Sequence, residues 1–169
     1  VEVHAHRWLG VLWSSNLQTL GDLHGKLHAC MPAFSCLVGL VNGGTLPITY
    51  ALQLFEIKVD SILANTCWLW LDEATHRSTM DDFLDKCARC LIGAEPWRNA
   101  CVIRSELGWH MSGWAWVVRE AACRQARLLQ LDEGDLYRQP FDLAASTACD
   151  WAKLCNTVMT SYGVLPWST

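Results

Sequence analysis

Apolar residues recur every three or four positions through most of this chain, and that spacing constrains the fold more than any other feature. Residues 20–41 follow the period of an amphipathic α-helix, and a glycine pair at 43–44 predicts its end. Residues 47–62 repeat the pattern and begin with Pro47, whose missing N–H costs nothing in a first helical turn. A chain patterned in this way must bury helix faces against one another.

The remaining segments with the same spacing predict helices over 78–92, 96–107, 112–131 and 140–160. Thr79 and Asp82 resemble a capping box at the start of the first of these. Pro32 is predicted to kink or split the helix over 20–41. Residues 1–13 begin with the alternation of a strand. The sequence therefore predicts a mainly α fold, a bundle of about six helices with a short N-terminal β-strand or hairpin.

The composition narrows the class of protein further. Hydrophobic residues make up 51% and charged residues 18% of the chain, which is enough apolar side-chain material to bury a core. No apolar run reaches the ~20 residues of a membrane helix, and no signal peptide is visible. The nine scattered cysteines are expected to be reduced thiols that pack in a core. These features predict an intracellular protein, cytoplasmic or nuclear, without a membrane partner.

The charge is distributed unevenly along the chain. The formal net charge is -4, whereas a free-standing nucleic-acid-binding protein is usually basic. The segment from Lys86 to Arg127, however, contains seven basic residues and only three acidic ones. This basic middle could contact a phosphate backbone locally.

Three short patterns could bear chemistry, and each has a simpler structural explanation. Cys87 and Cys90 have the C-x-x-C spacing of a zinc site or redox pair, but both fall on the apolar face of a predicted helix. His24 and His28 lie four residues apart with no clear third ligand and are expected at the surface. The adjacent acids at 81–82 suit a helix N-terminus. No phosphate-binding loop or nucleophile elbow occurs, so no catalytic or metal-binding residue is predicted.

The order of three segments resembles the C-terminal part of reverse transcriptases from LINE-type (non-LTR) retrotransposons. The first segment, 7–17, contains Trp8-Leu9-Gly10-Val11 where the family has a Tyr-Leu-Gly-Val element after its palm. The second runs from Leu46 to Trp70. The third is the helix over 84–93, followed by 99–100 and by Glu106-Leu107-Gly108-Trp109. Together the matches cover residues 7–131.

This resemblance implies a fragment of an RNA-directed DNA polymerase. Residues 1–18 would be a strand and turn at the end of the palm, 19–131 a helical thumb-like domain, and 132–169 a helical connector. The family's catalytic Asp pair precedes the Leu-Gly-Val element, whereas the acids at 81–82 follow it, so the fragment would be inactive alone. Mg²⁺ would belong to the parent enzyme, and the fragment itself would need no cofactor.

The implied partners are an RNA–DNA template–primer duplex and the missing palm and fingers of the same polyprotein. The strand at Trp8, Leu9 and Gly10 would help to place the primer terminus. Charge and position make five residues candidates for phosphate contacts: Lys86, Arg89, Arg98, Arg104 and Arg119. Two alternatives remain open, a helical protein-interaction module and a decayed retroelement fragment without a selected function.

Overall fold

A computed structural model describes residues 5–8, 11–14, 20–70, 74–109, 112–132, 134–136, 138–139, 142–143 and 150–163. The architecture is a mainly α-helical bundle, as the periodicity predicts. The helices within these ranges are α1 (Leu20–Asn42), α2 (Ile48–Phe55), α3 (Ser61–Ala64), α4 (Ala74–Ile92), α5 (Ala100–Glu106), α6 (Gly113–Leu129) and α7 (Asp150–Ser161). Six of them have at least seven residues.

Two short strands precede the bundle. Strands β1 (Ala5–Trp8) and β2 (Val11–Ser14) pair antiparallel, with Trp8 opposite Val11. Strand β2 also contacts α1, which attaches the hairpin to the helical part.

Helix α4 is central, since it packs against α1, α5 and α6. The apolar stripes that the sequence displays on α1, α2, α4 and α6 meet in one core, because each stripe needs another to exclude water. Fully buried members of this core include Leu23, Val59, Leu63, Trp70, Met80 and Val117. A smaller cluster of Ala88, Ile103 and Leu107 holds α5 against α4.

Helix α1 is not split at Pro32, so of the two predicted outcomes, a kink or a split, the split is wrong. The helix is continuous over its 23 residues and contains Pro32 within it. The proline ring removes one backbone N–H, and with it one hydrogen bond, from the helix. Pro32 lies on the exposed face of the helix, so its ring does not disturb the core. Cys30 and Phe34 on either side of it are buried, so packing of this face compensates for the lost hydrogen bond.

The predicted helix over 47–62 is present but changes its winding. Helix α2 leads into a π-helical turn at Glu56–Asp60 and continues as α3. A 3₁₀ turn, Cys67–Trp70, follows. Isolated π-helical turns within α-helices are frequent at functional sites.

Two helix starts differ from the sequence prediction. Helix α4 begins at Ala74 instead of near residue 78, so Thr79 and Asp82 lie inside the helix and form no capping box. The neighbouring Asp81 instead accepts a hydrogen bond of 2.8 Å from the backbone N–H of Trp114, in the first turn of α6. Helix α5 begins at Ala100, and its N-cap Asn99 accepts a hydrogen bond of 2.8 Å from the N–H of Cys101.

Helices α4 and α6 make close backbone contact at Gly113. A Cβ atom at Gly113 would overlap the backbone carbonyl group of Met80, and it would lie 3.0 Å from the backbone nitrogen of Asp81. Glycine is therefore required here by contact with another helix, because its φ angle is not positive.

A buried polar contact joins the start of α1 to the 3₁₀ turn. The indole Nε1 of Trp70 donates a hydrogen bond of 3.2 Å to Oδ2 of Asp22, which is only 2% exposed. The backbone oxygen of Trp70 lies 3.0 Å from Nδ1 of the buried His76. The Trp70 segment is thus fixed from both sides by polar groups of α1 and α4.

We expect Trp70→Phe to lower the free energy of unfolding by about 2 kcal/mol, because it removes a donor from a buried carboxylate while keeping an aromatic ring. Chemical denaturation monitored by circular dichroism measures the change. Trp97→Phe is the matched control, because Trp97 is 81% exposed and its replacement should leave stability unchanged. If the two variants change the free energy of unfolding equally, the hydrogen bond between Trp70 and Asp22 does not contribute the expected stability.

Candidate functional site

Basic side chains gather where α4, the following loop and α5 meet. Lys86 and Arg89 lie one turn apart on α4. The Nη2 atom of Arg89 donates a hydrogen bond of 3.4 Å to the backbone oxygen of Arg98, which brings the loop against the helix. Lys86 and Arg98 are exposed, and neither forms an ion pair within the described part of the chain. These three residues and Trp97 are called the basic surface below.

Trp97 is the most exposed large hydrophobic side chain in the described ranges, at 81%. It stands beside Arg98 in the loop between α4 and α5. Aromatic rings among basic residues are the arrangement on which unpaired nucleic-acid bases stack.

The other two predicted phosphate-contacting residues are engaged differently. Arg104 on α5 forms a partly buried ion pair with Asp85 on α4, which fixes α5 in place. Arg119 on α6 donates from Nε and Nη2 to Oε1 of Glu120, at 3.1 and 2.8 Å. Arg119 also lines a cavity described below. The structure therefore brings Arg98 into contact with Arg89, which lies one turn from Lys86 on α4, and commits Arg104 and Arg119 to acidic partners.

The predicted primer-placing strand is described only in part. Trp8 is the last residue of β1. Leu9 and Gly10 lie outside the described residues, between β1 and β2.

A second feature of interest is a cavity of about 200 Å³ beside the π-helical turn. Its aromatic lining consists of Phe55, Trp109 and Trp116, and its charged lining of Glu56, Asp60 and Arg119. Phe55 and Trp116 are buried, whereas Glu56 and Arg119 are exposed, so the cavity has a closed aromatic end and a charged rim. The rings of Phe55 and Trp109 pack with centroids 5.0 Å apart at 45°.

Asp60 is electrostatically unusual. Burial, followed by the negative charges of Glu56 and Glu120, raises the pKa of its carboxyl group to about 7. Arg119 opposes this increase. The indole N–H of Trp116 faces Asp60 closely enough to lower that pKa, yet it has no partner at hydrogen-bonding distance. Asp60 is therefore partly protonated at neutral pH, in contrast to an ordinary aspartate.

The C-x-x-C pair belongs to the core. Cys87 is 1% exposed, and Cys90 packs against the same cluster. Burial raises the pKa of the Cys87 thiol well above its usual range and that of Cys30 to about 11. His24 and His28 are exposed on α1, as predicted. In the ranges that the structure describes, no group of three or more His, Cys, Asp or Glu side chains could hold a metal ion.

Sequence reasoning missed the cavity entirely. Asp60 looks like one polar position of an amphipathic helix, and Trp116 lies 56 residues away on α6. The sequence does contain one signal: the carboxylate of Asp60 lies between Val59 and Ile62, and both of these positions are expected to be buried. That signal alone does not identify the aromatic partners.

Comparisons with known proteins find no relative of this chain. No protein-family model matches the chain, and no curated protein or solved structure matches it either. None of the helices in the described part of the chain is both long and apolar enough to cross a bilayer.

Proposed function

We propose that this chain is a thumb-like, non-catalytic part of an RNA-directed DNA polymerase of the LINE type, which grips a template–primer duplex. The observation that carries the proposal is the basic surface: Lys86 and Arg89 lie one turn apart on α4, a hydrogen bond joins Arg89 to Arg98, and the exposed Trp97 precedes Arg98 in the loop. The resemblance of residues 7–131 to that family supplies the polymerase context. The palm and fingers of the same polyprotein would supply catalysis and Mg²⁺.

Gripping a duplex requires fixed positive charge and no bond chemistry. Lysine and arginine bind phosphates and release condensed counterions, which makes affinity depend strongly on salt. The α4–α5 unit is suited to this task because the Arg104–Asp85 ion pair and the Ile103 contacts hold the two helices rigidly together. Trp97 would stack on an unpaired base at the end of the duplex.

We expect the double variant Lys86→Ala/Arg98→Ala to bind an RNA–DNA duplex about tenfold more weakly at low salt, since two phosphate contacts are lost. The slope of log affinity against log salt should fall by about two. Fluorescence anisotropy of a labelled duplex across a salt series measures both quantities. Arg127→Ala is the matched control, because Arg127 is an exposed arginine in the last turn of α6 and is not one of the residues of the basic surface.

Trp97→Ala separates stacking from charge. It should weaken binding of a duplex with a single-stranded overhang by about tenfold and leave blunt-duplex binding unchanged. If the wild-type chain binds no duplex, or if Arg127→Ala weakens binding as much as the double variant, the proposal fails. Salt-independent self-association that Trp97→Ala abolishes would instead favour the helical protein-interaction module.

A further inference from the structure

We propose that the cavity at the π-helical turn is a binding site for a small methylated ammonium ion, with Asp60 as its counter-ion. This site is separate from the basic surface and does not depend on nucleic-acid binding. The proposal rests on the size of the cavity, its aromatic walls and the charges at its rim.

The volume limits the ligand. Pockets for drug-sized molecules are ~300–1,000 Å³, so a cavity of about 200 Å³ admits only a small molecule. The lining contains three aromatic rings and Leu84, which makes the interior largely apolar. A ligand that fills it must therefore present mostly apolar surface.

The charges select the sign of the ligand. Among the described residues that line the cavity or act on Asp60, the carboxylates of Glu56, Asp60 and Glu120 are opposed by the guanidinium of Arg119, which Glu120 already holds at 2.8 Å. An anion would meet this excess of carboxylates, whereas a cation would be attracted to them. The excess negative charge is greatest when Asp60 is ionised.

The aromatic walls select the kind of cation. The faces of tryptophan and phenylalanine attract cations, and quaternary ammonium ions are the usual ligands of such walls. A methylated ammonium group has an apolar surface and no demand for three hydrogen-bond acceptors. A primary ammonium group could donate to the carboxylates of Glu56 and Asp60, but its remaining N–H groups would face the rings of Phe55, Trp109 and Trp116 and lose their hydration.

Proton release should accompany binding. The groups that act on Asp60 are Glu56 on its own turn and Arg119, Glu120 and Trp116 on α6. Its charge also acts on the buried thiols of Cys30 on α1 and Cys87 on α4. Both thiols are neutral near pH 7, because burial raises their pKa, so Asp60 is the group whose ionisation changes there.

The test is isothermal titration calorimetry of the full chain with choline, with ethanolamine, and with the neutral analogue of choline that has a tert-butyl group. We expect choline to bind at least about tenfold more tightly than the neutral analogue, and more tightly than ethanolamine. Raising the pH from about 6 to about 8 should tighten choline binding by roughly tenfold, as Asp60 ionises.

Variants test the residues. Asp60→Asn should weaken choline binding about tenfold and remove its pH dependence, and Trp109→Leu should weaken it at all pH values. Asp82→Asn is the matched control, since Asp82 is an exposed carboxylate that does not line the cavity. Absence of choline binding, equal binding of the neutral analogue, or tighter binding of ethanolamine would each overturn the proposal. The comparison of the three ligands decides the matter even if a variant fails to fold.

Discussion

We expect Gly113→Ala to lower the free energy of unfolding by about 3 kcal/mol, the cost of forcing an extra carbon into a closely packed contact. The added Cβ would meet the backbone carbonyl of Met80, and neither helix can yield without displacing the core around it. The displacement would also lengthen the hydrogen bond from the N–H of Trp114 to Asp81. Urea denaturation followed by circular dichroism measures the loss.

Gly39→Ala is the matched control for this prediction. Gly39 lies within α1 and is exposed, and a Cβ placed there meets no atom within 4 Å. Alanine is a better helix former than glycine, so this variant should gain about 0.5–1 kcal/mol. If both substitutions stabilise the chain, the close approach of α4 and α6 at Gly113 is wrong.

We expect Asp60→Asn to raise the free energy of unfolding at about pH 8 by the order of 2–4 kcal/mol and to change it little at about pH 4. The unfolded carboxyl ionises near 3.8, whereas burial and neighbouring carboxylates raise the pKa of the folded group to about 7. The folded state therefore binds more protons between these values. Its stability consequently falls as the pH rises from about 4 to 7.

An amide at position 60 cannot ionise, so this component of the pH dependence disappears in the variant. Thermal unfolding at a series of pH values compares the slopes of the two proteins. An equal stabilisation at acidic and alkaline pH would show that ionisation of Asp60 is not the cause. An Asp60→Asn variant that is more stable but binds choline more weakly would indicate that the charge of Asp60 lowers stability and serves ligand binding.

The helical class could be predicted from the sequence because apolar spacing reports directly which face of a segment is buried. The ends of helices were predicted well where glycine decides them, as at Gly93 and Gly108, which both have positive φ. Starts were predicted less well. Asp81 looks like part of the cap of its own helix, but the tertiary structure uses it to cap α6.

The two candidate sites also differ in how far the sequence predicts them. Exposed charge at Lys86 and Arg98 follows from helical periodicity and loop position, so sequence reasoning finds it. The pairing of Arg104 with Asp85 joins residues that are 19 positions apart in different helices. The environment of Asp60 depends on α6, and no local pattern encodes the burial that raises its pKa.

The hydrogen bond that Asp81 accepts from α6 has a consequence for the cooperativity of folding. The first turn of α6 obtains one of its hydrogen-bond acceptors from the middle of α4. It also has no Cβ at Gly113 to hold it away from that helix. Helix α6 therefore takes part of its N-terminal stability from α4, in addition to the local hydrogen bond from the N–H of Ala115 to Oγ of its N-cap Ser112. The two helices should then gain and lose structure as a single cooperative unit, although 20 residues of chain separate Ile92 from Gly113.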